Sequence, residues 1–139
     1  MAGLCFYFED ADVDVWSGKN LDAWNYAAKA AGDIDRMIVI NRTDQLISPP
    51  DADLTQFEVL SELPSLERAV YLVSPSQAGL GAASLWSFDH DVDWYVFGPA
   101  SGWEPGHPRL HVPQAGIGAL HAVHIASVVM LHRYHVRGG

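Results

Sequence analysis

A chain of 139 residues, 49% hydrophobic and 18% charged, fits a single domain spanning 1–139 with a core burying about two-thirds of the unfolded surface. Seventeen acidic residues against eight basic ones leave a net charge of −9, and only Arg133 and Arg137 of the eight sit close together. That balance excludes DNA as an expected partner and disfavours RNA without help, because phosphate neutralisation supplies most nucleic-acid affinity; with no basic leader and no run near the ~20 apolar residues that span a bilayer, a cytoplasmic protein with no membrane partner is expected.

Residues 4–8 (Leu-Cys-Phe-Tyr-Phe) read as a buried strand. Cys5, the lone cysteine, has no partner for an internal disulfide, which fits a reducing compartment and a small buried hydrophobe. The acidic stretch 9–14 spaces carboxylates as a divalent cation would need, but lacks the glycine and closing glutamate of a calcium loop and reads as solvated. From Asn20 onward, Leu21, Trp24, Ala27, Ala28 and Ala31 recur at helical intervals, with Gly32 as the stop. Residues 36–40 (Arg-Met-Ile-Val-Ile) form a continuous apolar run of the kind covered on both faces, so the first 40 residues read as a right-handed βαβ unit.

A loop is expected over 41–53, which contains Pro49-Pro50, and a short helix over 55–61. Residues 69–73 (Ala-Val-Tyr-Leu-Val) read as a strand stopped by Ser74-Pro75, residues 76–85 as a small-residue segment with weak helical character, and 89–93 (Asp-His-Asp-Val-Asp) as an acidic surface turn. The aromatic run 94–97 is a strand that breaks at Gly98-Pro99. A second, 110–112, stops at Pro113 and leads through a glycine-spaced loop into a helix from about Ala119. The resulting class is α/β, a mainly parallel sheet flanked by helices. Two glycine-bearing loops then bracket one pocket at the carboxyl ends of strands, where backbone can approach a ligand closely.

Asn20 with its helix and Gly32, then Phe97-Gly98-Pro99-Ala100-Ser101-Gly102, Val112-Pro113 and Ala119-Leu120-His121, resemble in order and spacing the SpoU/TrmH-type branch of the SPOUT superfamily of S-adenosylmethionine (SAM) methyltransferases. The resemblance covers about residues 20–134. It implies a trefoil knot near the carboxyl end, SAM held in the knotted loops, 2′-O-methyl transfer to RNA, and a homodimer built on the first and last helices. It also implies cofactor contacts at Val73, Ser74, Phe97, Gly98, Pro99, Gly102, Val112, Pro113, Gly116, Ala119 and Leu120.

The departures fall where that family keeps its chemistry. The helix arginine is Tyr26, the acidic residue after Gly-Pro is Ala100, and the Ser-Leu-Asn opening ends in His121. Tyr26, His121 and Asn20 are therefore the candidates for catalysis: a phenol offers one donor in place of a charged fork, and an imidazole titrates near neutrality. No metal is expected, because the histidine pairs 121/124 and 132/135 lack further ligands at zinc spacing; histidines and Arg133 near a helix end fit its dipole instead. The alternative to a methyltransferase is a catalytically degenerate SAM binder or dimeric interaction module. A small α/β ligand-binding domain unrelated to SAM is a third reading.

Overall fold

Strands that are apolar on successive residues leave no side for water, and here they form the middle of a parallel sheet. The structure, a computed structural model, describes residues 2–8, 18–31, 33–42, 54–73, 82–97, 108–113 and 122–137. Strand β1 (Ala2–Phe8) is followed by helix α1 (Gly18–Ala31), β2 (Ile34–Asn41), β3 (Gln56–Leu60), β4 (Ala69–Val73), the two-residue β5 (Ala83–Ser84), a 3-10 turn (Leu85–Ser87), β6 (Trp94–Phe97), β7 (Arg109–His111) and helix α2 (Ala122–Arg137). Among the described residues these strands make one sheet in the order β3-β2-β1-β6-β4-β7-β5, with every pairing parallel.

Alternation along each strand divides the core in two. Leu4, Phe6, Met37, Val39, Leu72, Tyr95, Phe97 and Leu110 face one side, where Trp24, Ala27 and Ala28 of α1 and Ala126, Val129 and Met130 of α2 cover them. The paired alanines of α1 let the two helices pack side by side on that face. Cys5, Ile38, Ile40, Tyr71, Trp94 and Val96 face the other side, against Leu60, Leu63 and Leu66. Gly3 is required at its place in β1: a Cβ there would lie 2.5 Å from Cζ3 of Trp94, whose ring covers the strand. Burial pushes the Cys5 thiol up to about 12, so this cysteine behaves as a core hydrophobe.

Three expectations need correction. Residues 55–61 hold a strand, not a helix: Thr55 N–H donates to the Asp35 carbonyl at 2.8 Å, and from there Gln56 to Leu60 extend the sheet beside β2. Phe57 and Val59 alternate with Glu58 at the period of a strand, which outweighs helical propensity at a sheet edge. Within 76–85, the described residues give a short strand and the opening of a 3-10 turn capped by Ser84, whose hydroxyl accepts from Trp86 N–H at 3.2 Å. The acidic stretch 89–93 is not wholly a surface turn. His90, at its second position, is fully buried with φ +61°, a left-handed conformation uncommon for a non-glycine residue.

Candidate functional site

In a parallel sheet all strands end on the same side, and the order β6-β4-β7 brings three of those ends together. Leu72 pairs with both Phe97 and Leu110, and Val73 pairs with His111, so β4, β6 and β7 finish at nearly one level. Phe97, the last residue of β6, is buried and stacks on Phe6 with ring centroids 4.9 Å apart, which anchors the point where the chain leaves the sheet. Val73 is the last residue of β4. Val112 follows β7 directly and is buried, with Pro113 half-buried after it. Thus Val73, Phe97, Val112 and Pro113 from the expected cofactor set are gathered at one place. Ser74, Gly98, Pro99, Gly102, Gly116, Ala119, Leu120 and His121 lie outside the described residues.

The catalytic candidates on α1 are separated. Because β1 and β2 are parallel, α1 runs back against the strands and begins at their carboxyl ends. Asn20 is in the first turn of α1, on the side of the strand ends, whereas Tyr26 is six residues on, about 9 Å further along the axis. Tyr26 is 74% exposed on the outer face of the helix, away from Trp24, Ala27 and Ala28. Among the described residues, one buried atom at the strand ends lacks a hydrogen-bond partner: Nδ1 of His111, the last residue of β7.

A polar cluster that the sequence reading did not anticipate sits at the opposite, amino-terminal end of the sheet. Arg133 of α2 is buried, donates from Nε to Asp33 Oδ2 at 2.7 Å, and donates from Nη1 to the His90 carbonyl at 2.8 Å and to the Tyr95 hydroxyl at 3.0 Å. Arg137 donates to the same His90 carbonyl at 2.9 Å. His90 Nδ1 is 2.7 Å from the Tyr95 hydroxyl, and His90 Nε2 is 2.7 Å from His132 Nδ1. One donor order satisfies every contact: Arg133 to Tyr95, Tyr95 O–H to His90 Nδ1, and His90 Nε2–H to His132 Nδ1.

That order needs both imidazoles neutral and the phenol protonated. Burial, reinforced by His132 and Arg133, pulls His90 down to about 4. His132 is lowered by its own desolvation and by His135. Burial pushes Tyr95 up to about 12. Burial works against the charge on Arg133, but its bonds to Tyr95 and Asp33 outweigh that and leave its pKa above the ordinary value. The dipole role expected of Arg133 is thus replaced by a buried anchor. Its spacing after Ala126, Val129 and Met130 puts it on the inward face of α2, a signal that was present in the periodicity.

No protein-family profile and no curated protein sequence matches the chain. Solved structures do match. A probable methylase family protein from Haemophilus influenzae Rd KW20 superposes with a TM-score of 0.65 at 8% identity over 97% of this chain and 64% of its own. The SpoU methyltransferase AviRb from Streptomyces viridochromogenes, solved with AdoMet, gives a TM-score of 0.59 at 13% identity over 97% of this chain and 60% of its own. A protein studied for 2-OH methylation of C/U34 on tRNA gives 0.56 at 18% identity, over 99% of this chain and 91% of its own. The chain therefore spans less than two-thirds of the first two proteins. These superpositions show that the chain, with its all-parallel sheet, has the fold of solved methyltransferase structures, the SpoU methyltransferase AviRb among them.

Proposed function

We propose that the chain is a SAM-binding methyltransferase that holds its cofactor at the joined ends of β4, β6 and β7. The observation that carries this reading is the convergence of Val73, Phe97 and His111–Val112 at one level, in a fold shared with a methyltransferase solved with AdoMet. The orphaned His111 Nδ1 at that edge fits a site built for a polar ligand. SAM supplies a methyl group on a sulfonium, so the protein's work is to bind, orient and exclude water. The segments that follow Val73, Phe97 and Val112, with Ser74, Gly98, Pro99, Gly102, Pro113, Gly116, Ala119 and Leu120, would hold the nucleoside and the amino acid part. His121 and Asn20 would orient the acceptor hydroxyl or take its proton, and Tyr26 would stand where the family has an arginine.

The acceptor class in this reading is RNA, reached with a basic partner that offsets the charge of −9. A homodimer through α1 and α2 belongs to the same reading: Tyr26, Leu131, Tyr134 and Val136 are apolar or aromatic side chains exposed on those helices. So does a knot. β7 lies between β4 and β5, so a strand laid late in the chain enters between two laid earlier. The buried thiol of Cys5 and the absence of a membrane-length apolar helix among the described residues are in keeping with a cytoplasmic setting.

The reading is tested by calorimetric titration with SAM and S-adenosylhomocysteine (SAH), alongside mass by light scattering. Micromolar binding to a dimer is expected. Gly98→Val is expected to abolish binding while the thermal transition stays, and undiminished binding by that variant would refute the pocket. Formation of SAH with a cell RNA extract separates a working enzyme from a protein that only binds the cofactor.

A further inference from the structure

The described residues leave few buried polar side-chain atoms without a hydrogen-bond partner, and their locations differ. Asp33 and Asp35 lie at the amino-terminal end of β2, and Asn25 lies on α1. His111 is the one at the carboxyl ends of the strands, next to Val112 and Pro113. Its register neighbours are Val73, which ends β4, and Ser84, which ends β5. Leu110 points into the core under α1 and α2, so the alternation of β7 turns His111 to the other face of the sheet, the face of Tyr71 and Val96. Buried polar groups in folded proteins are paired in the great majority of cases. An imidazole nitrogen left unpaired where a parallel sheet gathers its ligands marks a contact that a ligand completes.

We infer that His111 contacts the cofactor, with Nδ1 hydrogen-bonded to a ribose hydroxyl of bound SAM; this rests on the reading of the strand ends as a SAM site. The chemistry selects the hydroxyl. A neutral imidazole carries a donor on one nitrogen and an acceptor on the other. A carboxylate would demand Nδ1–H and an adenine amino group would demand the bare nitrogen, whereas a hydroxyl donates or accepts and suits either tautomer. The sulfonium carries no N–H or O–H and so offers Nδ1 no hydrogen bond.

The test is nitrogen–proton correlation of the imidazoles in the wild-type protein, with and without saturating SAH, the His111 signals being identified by their loss in His111→Phe. The His111 Nδ1 resonance is expected to shift on binding. In calorimetry His111→Phe should bind SAH roughly three- to tenfold more weakly, the loss of one hydrogen bond. His111→Asn, whose amide sets a polar atom near the Nδ1 position, should recover most of that loss. Toward the 2′,3′-dideoxy analogue of SAH, wild type and His111→Phe should be equal. A wild-type protein that binds SAH with its His111 resonance unmoved overturns this inference and leaves the SAM site standing. A wild-type protein that binds no SAH overturns both. If His111→Phe does not fold, His111→Gln identifies the signals, and the weaker wild-type binding expected for the dideoxy analogue still decides.

Discussion

At residue scale the tightest constraint in the sheet is the absence of a side chain at Gly3. The Trp94 ring covers it, with Cζ3, Cε3 and Cη2 all within 2.9 Å of where a Cβ would stand. Trp94 is itself held by the Arg36 guanidinium, 4.6 Å over the ring, so it cannot tilt aside without giving up that contact. Gly3→Ala is therefore expected to destabilise the protein by about 1–3 kcal/mol, the usual cost of overpacking a filled core. Urea unfolding with an unchanged slope and a lower midpoint would bear this out; an unchanged midpoint would mean the tryptophan moves freely. Residues of this kind were legible only in part. Cys5, Phe97 and Trp24 announced themselves as core by their apolar neighbours, and the structure buries all three. Gly3 carried no mark, because what makes it necessary is a side chain 91 positions away that only the pairing of β1 with β6 brings over it.

At the scale of elements, the strands were read from apolar runs, and the two at the edges of the sheet, β3 and β5, were misread. Residues 69–73 and 94–97 sit in the sheet interior, where continuous burial writes itself into the sequence. β3 is an edge strand with Glu58 and Val59 exposed, so its composition resembled a short helix, and the pairing with β2 decided its state. The inward place of Arg133 on α2 was legible in its spacing, but the partner that anchors it was not. The anchor depends on His90, placed by a left-handed backbone in a stretch whose sequence spoke only of charge.

That anchor makes a prediction about pH. His90 falls from 6.5 to about 4 on folding, chiefly through burial, so the unfolded chain takes up the proton first as pH drops. Its contribution to stability is complete above about pH 6.5, is lost progressively between 6.5 and 4, and is gone below that. At about 1.4 kcal/mol per pKa unit the loss reaches about 3 kcal/mol, and His132, lowered in the same direction, adds to it. His90→Asn keeps a residue tolerant of positive φ but removes the titrating group. Urea midpoints taken between pH 7.5 and 4 should fall less steeply for this variant than for wild type. Parallel profiles would show that the histidine pair is not what acid disrupts.

At the scale of the whole molecule, the proposed RNA acceptor raises the question of how so acidic a chain would meet a polyanion. Five of the described arginines are engaged within the protein. Arg133 is buried against Asp33, Arg68 is paired with Asp91 and Asp93, Arg36 lies between Asp35 and the Trp94 ring, and Arg42 donates to the Tyr7 hydroxyl. Arg137 is drawn onto the His90 carbonyl. With a net charge of −9 and these pairings, the described residues present no basic face to guide RNA toward the strand ends. Each phosphate neutralised steepens the fall of log affinity with log salt by about 0.9, so a protein engaging two phosphates or fewer loses only about tenfold between 50 and 200 mM salt. Filter binding of the purified chain to total tRNA should give that shallow slope and weak affinity. A slope steeper than about −4 would reveal a basic surface that these ion pairs do not allow, and would make a partner protein unnecessary.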